Sequence, residues 1–188
     1  MKRSTLCIAL LAFVLLFALP LLAEEAAPLE QPILISSAGQ SADTKLVEML
    51  AKKQKLDTRT VSMAGPSDLS GIKTLIIVPG FSSKGLGAAG VSQQQEQERV
   101  EALLTAAAEQ KIPVVTVHIG GKARRGAQSD PFNRMAADNA VHMIVVEQGD
   151  EDKFFTNIAA EKKVPIELVA KIAEAAGPLG KLFEKQNQ

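Results

Sequence analysis

Hydrophobic positions in this chain follow two alternating periods. Short apolar or β-branched runs fall at residues 32–36 (PILIS), 58–62 (TRTVS), 73–78 (KTLIIV), 112–119 (IPVVTVHI), 141–146 (VHMIVV) and 164–169 (VPIELV). Within them, LIIV, VVTV and MIVV are continuous rather than alternating. A strand with one wet face alternates, so continuous runs predict strands covered by helices on both faces. The segments between carry helical spacing. From Ser92 the chain reads SQQQEQERVEALLTAAAEQK, in which Val100, Leu103, Leu104 and Ala107 share one face. Ser92 and Gln95 open it at the three-residue spacing of a capping box. Shorter helices are predicted near residues 43–54, 131–137, 151–162 and 170–183, with Gly177-Pro178 expected to break or kink the last.

Strand and helix in alternation predict one α/β domain at residues 32–185, built on an open, mostly parallel sheet with right-handed crossovers. The expected type is flavodoxin-like or Rossmann-like, with strand order 2-1-3-4-5, the sixth strand at the outer edge, and helices on both faces. In that order the winding reverses between the first and third strands, and ligands of such sheets bind there, beyond the carboxyl ends.

The N-terminus changes where this domain is expected to work. Lys2 and Arg3 precede an almost unbroken apolar run from Leu6 to Leu22, and Ala23 is followed by Glu24-Glu25-Ala26-Ala27-Pro28. A basic start, an apolar run and a small residue at the exit make a secretory signal peptide, here residues 1–23. The alternative is an uncleaved anchor, since Leu21 is large for its place before the cut; the run is short beside the roughly 20 residues of a spanning helix. Cys7 opens the apolar run instead of following it, which rules out a lipidated cysteine. Residues 24–31 read as a linker, and the expected destination is extracytoplasmic. Cleavage after Ala23 removes the only cysteine, so no disulfide is expected, and leaves two more acidic than basic residues. That balance suggests neither nucleic acid nor an anionic membrane as partner.

Three loops leave the expected ligand edge: residues 36–43 (SSAGQSAD), 80–90 (GFSSKGLGAAG) and 120–129 (GGKARRGAQS). They bring glycines, hydroxyls and the cations Lys84, Lys122, Arg124 and Arg125 together, with Asp43 the only acid among them. Backbone N–H groups, small side chains and guanidinium forks are what an anion requires. The expected ligand-binding set is Ser37, Gly39, Gln40 and Ser41 from loop one, Ser82, Ser83, Lys84 and Gly87 from loop two, and Lys122, Arg124 and Arg125 from loop three.

More specific chemistry fails on named residues. Gly85, Gly87 and Gly90 spell G-x-G-x-x-G, but after the third strand instead of the first, and the next strand ends in His118-Ile119-Gly120 without the acid that would hold a ribose. Read as a phosphate loop, the same stretch has Val91 where the lysine belongs. Gly80-Phe81-Ser82-Ser83-Lys84 departs from the nucleophile elbow at Lys84. The catalytic alternative is a serine-type hydrolase or transferase using Ser82 or Ser83 with His118. Two histidines at opposite strand ends and no cysteine in the mature chain give no metal-ligand cluster. The chain has no Trp or Tyr to stack a flavin, so no cofactor is expected.

The segments SAGQSAD, SSKGLGAAG and HIGGKARRGAQSD resemble those of a family of exported bacterial proteins classed as a domain of unknown function, over roughly residues 31–183. That resemblance implies an exported single-domain protein with no established activity, and it assigns no functional residue. The expected function is a non-catalytic extracytoplasmic receptor for a small anionic ligand, presented to a membrane transporter or sensor. The alternatives are the hydrolase or transferase above and a protein-interaction module.

Overall fold

The computed structural model describes residues 27–184; the expected signal peptide lies outside the described residues. Six strands form one sheet: β1 (Ile33–Ala38), β2 (Thr58–Thr60), β3 (Thr74–Pro79), β4 (Val114–His118), β5 (His142–Val146) and β6 (Ile166–Val169). Their order is β2-β1-β3-β4-β5-β6, and every neighbouring pair is parallel. The expected architecture is the observed one. β1 and β3 pair along their whole length, from Ile33 opposite Thr74 to Ala38 opposite Pro79, so loops one and two leave the sheet at the same level.

Six helices accompany the strands: α1 (Asp43–Lys53), α2 (Ser83–Ala89), α3 (Gln93–Glu109), α4 (Asp130–Asp138), α5 (Phe154–Lys162) and α6 (Ala176–Lys181). On one face Ile33, Ile35, Ile76, Val78, Val115 and Val117 pack against Val47 and Leu50 of α1 and Leu179 of α6. On the other, Leu34, Leu75, Ile77 and Val114 meet Val100, Leu103, Leu104 and Ala107 of α3 and Phe132 of α4. Each fully buried Leu or Phe in these layers contributes roughly 1.5–3 kcal/mol. The continuous apolar runs are thus explained: LIIV of β3, VVTV of β4 and MIVV of β5 are buried residue by residue, on both faces. Among the described residues no helix is long and apolar enough to cross a membrane.

Helix ends show how local chemistry sets the boundaries. The capping box at α3 is formed, with Ser92 Oγ accepting from Gln95 N–H at 3.1 Å and Gln95 Oε1 accepting from Ser92 N–H at 2.8 Å. α1, α3 and α5 all close with a lysine in the left-handed conformation, Lys55, Lys111 and Lys163. In each case the next N–H, of Leu56, Ile112 or Val164, reaches back to the carbonyl of Ala51, Ala107 or Ala159. This is the Schellman closure, usually made with glycine, and its apolar residue carries the chain toward the next strand. Two ends differ from expectation. α5 starts three residues late because the Asp150 carboxylate accepts the N–H groups of Phe155 and Thr156 and so fixes the first turn there. The final helix opens as a tight turn at Ile172–Ala175, and Pro178 lies in the first turn of α6, where its missing N–H is not needed.

Candidate functional site

Loops one and two are joined by backbone. Gly80 N–H donates to Ala38 O and Ser82 N–H to Gly39 O, each at 2.8 Å, around an antiparallel bridge between Gln40 and Phe81. Beyond this bridge the chain does not stay a loop. Ser82 Oγ accepts from Gly85 N–H at 3.0 Å and caps α2, and Gly90, in the left-handed conformation, ends it. The G-x-G-x-x-G glycines therefore belong to a short helix. Gly85 is needed for contact: a Cβ there would lie 2.0 Å from the Gln40 carbonyl oxygen, on which α2 rests. A Cβ on Gly87 would meet nothing within 4 Å.

Loop three is tied to the same bridge. Phe81 N–H donates to Ser129 Oγ at 3.1 Å, and its carbonyl accepts from Arg124 Nη1 at 2.9 Å. The stem of Arg124 is seated on glycine. A Cβ on Gly120 would stand 2.1 Å from its Cγ and 2.6 Å from Asp43 Oδ2. From there Arg124 Nε lies 3.5 Å from Asp43 Oδ2, at the start of α1. All three loops therefore share the carboxyl edge of the sheet.

Not all of the expected residues face one space. Loops two and three line a cleft of about 450 Å³, with Ser82, Ser83 and Lys84 on one side and Arg124, Arg125 and Gln128 on the other. Loop one, Gly87 and Lys122 do not line it. Ser37, Gln40 and Ser41 are buried; Ser37 Oγ has no hydrogen-bond partner, and two other donors of loop one are already in use. Glu96 of α3, fully buried, accepts from Gly39 N–H and from Gln40 Nε2, both at 2.9 Å on Oε1. Arg99 grips the same carboxylate, Nε to Oε2 at 2.8 Å and Nη2 to Oε1 at 2.7 Å, and donates at 2.6 Å to the carbonyls of Ser37 and Ala64. The protein's own carboxylate thus occupies the Gly39 N–H and the Gln40 amide of loop one.

The cations are also largely compensated. Arg125 makes a bidentate pair with Asp152, at 2.8 and 2.9 Å, and bonds Asp130 Oδ1 at 2.8 Å, with its guanidinium 4.4 Å above the Phe154 ring. These carboxylates, Asp152 first, raise the guanidinium pKa above its ordinary value, and Arg125 in turn holds Asp152 down at about 2. Lys122 pairs with Glu151 at 2.7 Å. Among the described residues Lys84, exposed at the cleft, has no carboxylate partner.

His118 ends β4 fully buried beside Gly149, its ring centroid 4.7 Å from that of Phe155, and neither ring nitrogen has a hydrogen-bond partner. Burial pushes its pKa down to about 4, so the ring is neutral at pH 7. His118 does not line the cleft, Ser82 Oγ accepts the capping bond from Gly85, and Ser83 is exposed. The structure does not join either serine to this imidazole.

Sequence reading missed Glu96, Arg99, Asp130 and Asp152. Only Glu96 carries a signal: it lies four residues before Val100, on the apolar stripe of its helix, where a carboxylate needs a partner.

Comparison with known proteins gives the fold wide company at low identity. Flavodoxin from Pseudomonas aeruginosa is 12% identical, with 81% of this chain and 99% of that one covered and a TM-score of 0.40. The SGNH-hydrolase family esterase AlinE4 is 15% identical, with 85% and 86% covered and a TM-score of 0.30. A Thermoplasma acidophilum protein assigned to GMP synthase is 12% identical over 58% of this chain, at a TM-score of 0.35; the chain spans only 45% of that protein. All three are distant, and none bears on function. No curated protein matches the chain. One family model does match, over residues 30–183, which take in all six strands and the three loops of the carboxyl edge, and the chain belongs to that family, the domain of unknown function DUF6305.

Proposed function

We propose that this protein is an exported, non-catalytic binder of a small anionic ligand, held in the cleft between loops two and three. The observation that carries the reading is Lys84, a cation without a carboxylate partner among the described residues, on the same cleft as Arg124. The cleft stands beyond the carboxyl ends of β3 and β4, next to the reversal of strand order between β1 and β3, where ligands of such sheets bind. Its size suits a small molecule. Of the expected cations, Lys84 and Arg124 are the binding pair in this reading. Arg125, closed by two aspartates and an aromatic ring, supports the wall.

Calorimetric titration with small carboxylates and phosphates tests this. Lys84→Ala is expected to weaken the best of them at least about tenfold, or ~1.4 kcal/mol. Arg125→Ala is expected to lower stability instead. Saturable binding that Lys84→Ala leaves intact would place the ligand elsewhere. Export rests on Lys2, Arg3 and the apolar run to Leu22. The exported protein is expected to begin at Glu24, which its mass would show, and an intact N-terminus would speak for an anchor. A transporter or sensor that receives the ligand is the partner consistent with this reading.

A further inference from the structure

We infer that the ligand of this cleft is a monoanion of the carboxylate class, not a phosphate dianion. The inference rests on the anion-binding reading above and concerns which anion the site selects.

Charge points this way first. The edge carries Lys84, Lys122, Arg124 and Arg125, and against them stand Asp43, Asp130, Asp152 and Glu151. These cancel before any ligand arrives. A monoanion leaves one uncompensated charge at the edge, and a dianion leaves two.

The supply of donors points the same way. Arg125 uses Nε, Nη1 and Nη2 on carboxylates and on the Gly149 carbonyl. Arg124 spends Nη1 on Phe81 O and directs Nε toward Asp43, while its Nη2 makes no hydrogen bond among the described residues. The cationic donors left for a ligand are therefore the Arg124 Nη2 edge and the Lys84 ammonium. Two cationic groups, one for each oxygen, match a carboxylate, whereas the three oxygens of a phosphate group outnumber them. Arg124 cannot readily turn to offer more, because its stem is wedged over Gly80 and Gly120.

Asp43 is the residue that sets this preference. Its Oδ2 is buried, accepts no hydrogen bond and stands 3.5 Å from Arg124 Nε, so it offsets the guanidinium charge without using up its outer edge. Removing that charge should admit a dianion.

The test is a ¹⁵N–¹H NMR titration of the full chain with acetate, pyruvate and benzoate, and separately with methyl phosphate at about pH 8, where the monoester is a dianion. The expected result is saturable movement of the Ser83, Lys84 and Arg124 amides, with at least one carboxylate binding roughly tenfold or more tightly than methyl phosphate. Asp43→Asn is expected to raise methyl phosphate affinity about tenfold relative to the carboxylate. Methyl phosphate binding as tightly as the best carboxylate, at these same amides, would overturn the monoanion inference and leave the anion-binding reading standing. An unchanged preference in Asp43→Asn would also overturn it. If no probe moves these amides, both fail.

Discussion

Arg99→Ala is expected to destabilise the protein by about 3–5 kcal/mol, the usual consequence of leaving one member of a buried ion pair unpartnered. Glu96 is fully buried, and Arg99 meets both of its oxygens. Without the guanidinium, the carboxylate would keep only Gly39 N–H and the Gln40 amide, and the carbonyls of Ser37 and Ala64 would lose a donor. For a domain of this size, the expected loss is a fall of roughly 10 °C in the thermal midpoint. Arg99→Lys should recover only part of it, since an ammonium cannot reproduce the fork that reaches a carboxylate and two carbonyls together. Urea unfolding measures the effect. A cost under about 1 kcal/mol for Arg99→Ala would mean that solvent reaches Glu96, and that this pair does not hold loop one.

Acid should act through His118. Its pKa is about 4 in the folded protein, lowered chiefly by burial and also by the nearby Arg125 charge, against an ordinary 6.5. Between those values the unfolded chain binds a proton that the folded one refuses, so stability falls as pH drops from about 6.5 to 4. The shift corresponds to roughly 3 kcal/mol. Asp152 acts in a separate, lower window: Arg125 depresses its pKa to about 2, so its contribution persists above the ordinary carboxylate range and is lost only as pH falls toward that value. His142, lowered by burial despite Glu167 at 3.2 Å, adds a slope of the same sign as His118. The informative measurement is therefore the difference between the wild type and His118→Leu in urea unfolding from pH 7 to pH 4. The variant is expected to lose most of the slope. An equal slope in both proteins would contradict the buried, neutral imidazole.

Much of the scaffold is legible in the sequence because it follows from local rules. Continuous runs such as LIIV can be satisfied only between two helical layers, and Ser92 with Gln95 marks the start of α3 by its spacing alone. Loop two escapes such reading for an equally physical reason. Its glycines fit a turn as well as they fit a helix, and the contact that requires Gly85 is with the Gln40 carbonyl, which belongs to another loop. The charge of the site is hidden in the same way. Reading three loops reveals four cations and one acid, but the carboxylates that neutralise three of those cations include Asp130, Asp152 and Glu151, which lie outside those loops. Ion pairs across 27 residues, such as Arg125 with Asp152, leave no periodic trace in a sequence.

Whether the cleft between loops two and three holds an anion through Lys84 is decided most directly by the thermal midpoint. Wild type and Lys84→Ala would be compared across a panel of carboxylates, phosphates and neutral sugars. A ligand at about a hundred times its dissociation constant adds roughly 2.7 kcal/mol, which for this size should raise the midpoint by something like 5–10 °C. That rise is expected for at least one anion and for no neutral sugar, and it should be lost in Lys84→Ala; a midpoint that no anion moves, or a rise that survives the substitution, would refute binding through Lys84.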